Sequence, residues 1–209
     1  MTRLLPGILA MAAIVVASNI LVQFLLGDWL TWGAFTYPFA FLVTDLTNRL
    51  QGAAAARRVI VIGFAVGVAC SLVGSQIEGA FGPLVSFRVA LGSGLAFLAA
   101  QLTDVTVFNR YRAGRWWTAP FVSTLVGASM DTAIFFTTAF SAALVFLEPG
   151  NDVGWANDAV PLLGLGPMAP LWLSLATADW LVKILLALVA LVPFRVIVSQ
   201  QLGNTARAG

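Results

Sequence analysis

Long apolar runs separated by short polar stretches dominate this chain. They mark six spans, near residues 6–26, 34–50, 59–77, 87–108, 119–147 and 170–194. A helix needs about 20 predominantly apolar residues to cross a hydrocarbon core about 30 Å thick. With connections this short, the runs leave no room for a soluble domain. The expected fold is therefore an all-α integral membrane protein, a bundle of about six transmembrane helices forming a single domain over residues 1–209. The second span is the shortest. It carries Tyr37-Pro38 near its start and Asp45, Asn48 and Arg49 near its end. Two readings of it stand: a tilted, ordinary helix with proline in its first turn, where proline is tolerated, or an interrupted helix lining a cavity. The first run, Leu4 to Leu26, is too long for a signal-peptide core and is expected to be a retained span.

Composition agrees with the pattern. Hydrophobic residues make up 60% of the 209 residues and charged residues 10%, against about 25% charged in soluble domains. Mean hydropathy is +0.93. This is too little charge for a water-facing shell. There is no histidine, and Cys70 is the one cysteine. Disulfide frameworks, Cys/His metal sites and Cys–His or Ser–His–Asp catalysis are thereby excluded. No catalytic residue, metal or cofactor is expected. The net charge of +2 offers no basic patch for nucleic acid.

The charges also orient the spans. Arg3 precedes the first, Arg49, Arg57 and Arg58 follow the second, Arg110, Arg112 and Arg115 follow the fourth, and Arg195 and Arg207 follow the sixth. The connections 27–33, 78–86 and 148–169 hold no Lys or Arg, only Asp28, Glu78, Glu148, Asp152 and Asp158. Nine of the eleven basic residues thus fall on one side, with Arg88 and Lys183 the exceptions. Positive charge stays inside, so both termini are expected in the cytoplasm. The long 148–169 connection reads as a spacer rather than a lid.

Membrane helices associate through small residues and interhelical hydrogen bonds. Gly63, Gly67, Ser71 and Ser75 form one such stripe, a packing seam. Gly92, Ala96 and Ala100 form a second, and its next i, i+4 step is Asp104. Ala119, Ser123 and Gly127 form a third, and its next step is Asp131. A carboxylate on a buried helix face is costly in lipid, so such residues face a bundle interior or a cavity. Asp131 and Asp104 are candidates for ligand binding or for carrying a coupled proton. For Asp104 the alternative is solvation at the interface, or pairing with Arg110 or Arg112. Gln101 lies one turn before it. Asp45 and Arg49, and Asp179 and Lys183, have i, i+4 spacing that suits intrahelical ion pairs. Asn19 and Gln23 place two amides on one face of the first span, as packing groups or as ligand contacts. Trp29, Trp32, Trp116, Trp117, Trp155 and Trp172 sit near span ends, as an aromatic belt does. Tyr37 and Phe41 lie closer to the polar cluster of the second span.

The segments Trp32-Gly33-Ala34-Phe35-Thr36-Tyr37-Pro38-Phe39, Phe41-Leu42-Val43-Thr44-Asp45-Leu46-Thr47-Asn48-Arg49 and Gln101-Leu102-Thr103-Asp104-Val105-Thr106-Val107-Phe108-Asn109-Arg110-Tyr111-Arg112 resemble the queuosine precursor transporter family, also called the vitamin uptake transporter family. Trp116-Trp117-Thr118-Ala119-Pro120, Ser123-Thr124-Leu125, Gly127 and Asp131-Thr132 continue the resemblance in order, from about Ser18 to Lys183. One departure is visible: the family often has an acidic residue near the end of the second-span motif, where Arg49 stands here. The resemblance implies six helices in the bacterial inner membrane. It also implies uptake of 7-cyano-7-deazaguanine or 7-aminomethyl-7-deazaguanine; with no Walker-type nucleotide-binding signature in the sequence, a secondary transporter or facilitator is expected. Neither substrate follows from hydropathy or spacing.

Such a base is a flat aromatic with adjacent N–H donors on its guanine-like edge. A carboxylate can accept two of them at once, aromatic rings can stack on its faces, and amides can read its carbonyl and exocyclic groups. The expected site is Asp45, Asp104 and Asp131 with Gln101, the amides Asn19 and Asn48, and Tyr37 or Phe41 as the stacking face. Two other readings remain open. One is a substrate-binding membrane subunit of an energy-coupling-factor importer, which needs separate partners. The other is an intramembrane enzyme, for which no nucleophile motif is present. A homo-oligomer is also left open.

Overall fold

The computed structural model describes residues 4–79 and 82–208. Arg3 lies outside the described residues, as does the side chain of Arg207. The described chain is an all-α bundle with three small antiparallel hairpins on its connections. Its helices are α1 (Leu5–Leu21), α2 (Gly33–Thr36), α3 (Phe39–Gln51), α4 (Ala53–Gly74), α5 (Phe87–Tyr111), α6 (Thr118–Phe140), α7 (Gly154–Asn157) and α8 (Leu171–Ala208). Four of them, α4, α5, α6 and α8, are long and apolar enough to cross a membrane, and α1 is a shorter apolar helix of 17 residues.

The second span departs from the simplest expectation. It is two helices, α2 and α3, meeting at Tyr37-Pro38. Proline has no N–H to donate and crowds the preceding turn. The backbone nevertheless stays helical there, with φ/ψ of −57°/−39° at Tyr37 and −58°/−22° at Pro38. The ladder resumes with tighter bonds, from Ala40 N to the Tyr37 carbonyl and from Phe41 N to the Pro38 carbonyl. The direction of the chain is therefore kept while the hydrogen bonding is interrupted. Gly52 then ends α3 at φ +89°, a region that favours glycine because it has no Cβ to clash, and α4 starts at the next residue. That start lies six residues before the expected one, because Arg57 and Arg58 made the first turns of α4 look like a loop.

The other ends also have physical causes. α6 stops at Phe140 instead of running to 147. Ser141 turns extended, and a 3-10 turn over Ala142–Leu147 follows. The guanidinium of Arg88, fully buried, donates from Nε to the Thr138 carbonyl (3.0 Å) and from Nη2 to the Ser141 carbonyl (2.6 Å). A cation is favourable at a helix C-terminus, where the last carbonyls lack partners. In return, Glu148 accepts from the backbone N–H groups of Phe87 (3.1 Å) and Arg88 (3.0 Å) at the start of α5. The 148–169 connection is folded and tied down. Asn157 bridges the Phe140 carbonyl and Ala142 N, Asn151 donates to Ser86 Oγ, and Ala159–Pro161 pairs with Met168–Pro170.

A second arginine clasp joins α3 and α5. Arg49 donates to the Arg112 carbonyl (3.2 Å) and Arg112 to the Arg49 carbonyl (2.8 Å). This corrects the expected Asp45–Arg49 ion pair: Arg49 caps backbone instead, and no ion pair involves Asp45 among the described residues. Pairing of Asp104 with Arg110 or Arg112 is likewise absent; Arg110 is exposed.

Burial ranks the helices. The apolar windows of α6 and α5 are 50% and 44% buried within the protein, against 22% for α4 and α8. α5 and α6 therefore form the centre. The outer faces of α4 and α8, with Val61, Leu72, Leu185 and Val192 exposed, are the apolar surface a bilayer would cover.

Candidate functional site

The small-residue stripes of α5 and α6 face one another. A Cβ on Gly92 would lie 3.3 Å from the Phe135 carbonyl oxygen and from Thr138 Cβ, and one on Gly127 would lie 3.3 Å from the Ala100 carbonyl oxygen. Ala96 and Ala100 are buried in the same seam. This close backbone approach turns the continuation of each stripe inward, and Asp104 and Asp131 are 0% and 4% exposed. The structure does not bring the two aspartates together, however. It places them in two separate polar clusters.

The first cluster lies where α3, α5 and α6 meet. Asp45 is 2% exposed and faces Asp104 closely enough for the two carboxyl groups to interact directly. Ser123 Oγ lies 3.3 Å from Asp45 Oδ1 and Thr124 Oγ1 lies 3.4 Å from Oδ2. Both are long for an O–H···O bond, and Ser123 is equally near the Pro120 carbonyl. Neither oxygen of Asp104 has a hydrogen-bond partner of good geometry. Beside them, Thr44 donates to Gln101 Oε1 at 2.5 Å, leaving Nε2 without an acceptor. Asn48 Nδ2 reaches the Val105 carbonyl at 3.5 Å, leaving Oδ1 without a donor. Gln101 and Asn48 are both fully buried. A buried polar atom without a partner costs about 1–3 kcal/mol, and a charged one more. Four such atoms around one carboxylate pair is a concentration that packing alone does not reward.

The second cluster lies between α6 and α8. Lys183 Nζ donates to Asp131 Oδ2 (2.6 Å), Asp179 Oδ2 (2.5 Å) and Thr132 Oγ1 (3.1 Å). Thr132 donates to Asp179 Oδ2 at 2.8 Å. Tyr37 donates to Asp131 Oδ1 at 3.2 Å, and its ring centroid lies 5.7 Å from Nζ. Here the lysine uses all three of its donors and Asp131 uses both its oxygens. Sequence spacing pairs Lys183 with Asp179 alone. The Asp131 contact, 52 residues away in the chain, carries no local signal.

Phe41 and Tyr37 lie between the clusters. Phe41 is buried against Ala100 and Ala128, with its ring edge over Gly127. Tyr37 stands edge-on to Phe97, 6.2 Å between centroids. A narrow cleft lined by Pro38, Phe41, Asp45, Thr124, Ala187 and Phe194 runs between α3, α6 and α8 to the first cluster. It has room for about one water molecule. Asn19 is not part of either cluster; its amide donates to the Val15 carbonyl of its own helix at 2.9 Å. Gln23 is exposed beyond the end of α1. The residues that spacing did not select are Thr44, Thr124 and Thr132; the intrahelical Asp179–Lys183 pair that spacing did select is present. The first cluster, acceptor-rich and without a cation, suits a ligand that brings N–H donors. No group of three or more acidic, His or Cys side chains able to hold a metal ion occurs among the described residues.

Comparison with known proteins bears on this arrangement. A family described as "Putative vitamin uptake transporter" matches residues 31–198. The chain belongs to that family. It is 38% identical over 198 residues to the "Queuosine precursor transporter" of Escherichia coli strain K12, covering 86% of this chain and 79% of that protein. It is 35% identical over 176 residues to the "Probable queuosine precursor transporter" of Haemophilus influenzae, covering 78% and 66%. To the Bacillus subtilis protein of the same printed name it is 28% identical over 204 residues, covering 88% and 78%. No solved structure matches the chain significantly. The relatives are named as transporters and none as an enzyme. As a member of this family the chain is a multi-pass membrane transport protein, not an enzyme. The matched region contains both clusters.

Proposed function

We propose that this chain takes up queuosine precursors, 7-cyano-7-deazaguanine or 7-aminomethyl-7-deazaguanine, across the bacterial inner membrane as a secondary transporter or facilitator. In this reading it has six spans, α2 and α3 together forming the second, and both termini are cytoplasmic. The observation that carries it is the Asp45–Asp104 pair, buried in a membrane bundle without a cation and flanked by Gln101 and Asn48 atoms that lack partners. One of the two carboxylates accepts the adjacent N–H donors of the guanine-like edge, in the charge-assisted, paired geometry that is strongest. Gln101 Nε2 donates to the ring carbonyl, and Phe41 or Tyr37 offers a stacking face. Asp131 takes a different part. Held by Lys183 and Tyr37, it ties α6 to α8 and to the start of α3 and positions those aromatics. The printed name of the E. coli relative supports the cargo.

A base does not fit a cleft that holds one water. Loading therefore requires the helices that line it, α3, α6 and α8, to separate at the level of the first cluster. Alternating movement of this kind is how membrane carriers expose one site to either side. The test is a strain unable to make either precursor, supplied with each in turn and read by queuosine in its tRNA. Expression of this chain should restore the modification at low external precursor. No queuosine from either precursor, with the protein well inserted, would sink the assignment. If restoration occurs only alongside an energy-coupling ATPase module, the chain is an importer subunit rather than a carrier in its own right.

A further inference from the structure

Thr44 gives its hydroxyl proton to another helix. Thr47, Thr106 and Thr177 donate to the carbonyl four residues back in their own helices, those of Val43, Leu102 and Leu173, the usual place for a threonine proton inside a helix. Thr44, fully buried on α3, instead donates across to Gln101 Oε1 on α5 at 2.5 Å. On the same two helices Asp45 faces Asp104 and Asn48 reaches the Val105 carbonyl. Gln101 stands one helical turn before Asp104 and so on the same face of α5. The Thr44–Gln101 and Asp45–Asp104 contacts are therefore adjacent rungs between α3 and α5.

A side-chain amide accepts at one end and donates at the other, so the partner of one end decides what the other end offers. Thr44 has one proton, and it holds Oε1. The end left without a partner is Nε2, a buried donor. An acceptor arriving with a ligand relieves it, and a second donor does not. A guanine-like edge brings such an acceptor, its ring carbonyl, beside its N–H donors. A 6-amino base of the same shape puts an amino group in that place. The neighbouring carboxyl groups do not make this distinction. Two buried carboxyl groups in contact share a proton, so together they can accept from a base or donate to it. We infer that Thr44 is a positioning residue for cargo recognition: by holding Gln101 Oε1 it leaves Nε2 to the ligand, and the site takes a 6-carbonyl base and rejects its 6-amino counterpart. The inference rests on the functional reading above.

The experiment measures the affinity of the purified full chain in nanodiscs for two ligands. One is 7-cyano-7-deazaguanine, and the other is its counterpart with an amino group in place of the ring carbonyl. The unmodified protein should bind the carbonyl compound at least about tenfold tighter, because the wrong base leaves the buried donor unpaired. Thr44→Val keeps the volume and frees the amide to turn, so the ratio should fall at least about fivefold. Thr44→Ser keeps the hydroxyl and should hold the ratio within about twofold. A residue needed only for packing would weaken both ligands alike and leave the ratio unmoved. An unchanged ratio in folded Thr44→Val, or a ratio lost equally in Thr44→Ser, overturns the inference. Where Thr44→Val fails to fold, Gln101→Met decides: it removes Nε2 and should lower the ratio as far, and an unchanged ratio overturns the inference. Equal binding of the two ligands by the unmodified protein overturns it and leaves the precursor reading standing. Binding of neither overturns that reading as well.

Discussion

An ionised carboxylate inside a helical bundle needs a cation, a set of donors or a ligand. Asp131 has the first: Lys183, shared with Asp179. Asp45 has two distant hydroxyls and Asp104 has no hydrogen bond of good geometry. The difference assigns different behaviour on mutation. Asp45→Asn or Asp104→Asn should keep the fold, because an amide occupies the same volume and relieves the repulsion between two buried carboxyl groups. Loss of a charge-assisted bond to the base should weaken precursor binding about ten- to a hundredfold, corresponding to about 1.5–3 kcal/mol. Titration of the purified variants checks this; unchanged affinity in both would remove the pair from the site. Lys183→Met should do the opposite, unfolding the protein more easily by about 3–5 kcal/mol because two buried carboxylates lose their partner. Combining it with Asp131→Asn and Asp179→Asn should recover most of the loss, read as the unfolding midpoint in detergent. Asp104 and Asp131 were legible in the sequence because each continues a stripe of small residues. The Lys183–Asp131 contact was not, since nothing local links two helices, and the Asp45–Arg49 spacing misled because Arg49 found a carbonyl to cap.

At the scale of elements, close helix approach is what sets the site. Phe41 reaches between α5 and α6 only because residue 127 is glycine. A Cβ there would lie 2.7 Å from Phe41 Cε1 and 3.3 Å from the Ala100 carbonyl oxygen. Gly127→Ala should therefore displace the Phe41 ring, at an overpacking cost of about 1–3 kcal/mol that exceeds the gain of about 1 kcal/mol in helix propensity. Gly67→Ala is the control, since its Cβ would meet Val15 Cγ1 at an ordinary 3.5 Å. Thermal unfolding should separate the two: a lower midpoint for Gly127→Ala, an equal or higher one for Gly67→Ala. A higher midpoint for both would mean that Phe41 moves freely. The stripes that place these residues were readable from spacing. The break at Tyr37-Pro38, the early start of α4 and the end of α6 at Phe140 were not, because hydropathy is blind to where backbone hydrogen bonds are satisfied. Arg88 shows the same limit. It stood out as a basic residue on the wrong side, and its role as the partner of the last carbonyls of α6 depends on three-dimensional proximity.

For the whole molecule, the charge pattern and the architecture point the same way. The three hairpins lie on or beside the connections without Lys or Arg, Leu25–Thr31, Glu78–Pro83 and Ala159–Pro170. The other connections are tight, a single Gly52 between α3 and α4 and a short turn between α5 and α6. In a Cys70→Ala background, Asp152→Cys and Arg115→Cys, both at exposed positions, should label from opposite sides. A membrane-impermeant maleimide should reach Asp152→Cys in intact spheroplasts and Arg115→Cys only after permeabilisation. The reverse pattern would invert the orientation. The central claim joins this topology to the acidic pair: the chain by itself moves a 7-deazaguanine base past Asp45 and Asp104. The direct measurement is uptake of radiolabelled 7-aminomethyl-7-deazaguanine into proteoliposomes holding only this chain. The account predicts saturable uptake by the wild type, reduced at least tenfold in the Asp45→Asn and Asp104→Asn proteins. Uptake by the wild type no faster than in empty liposomes, or uptake by both variants as fast as the wild type's, would contradict it.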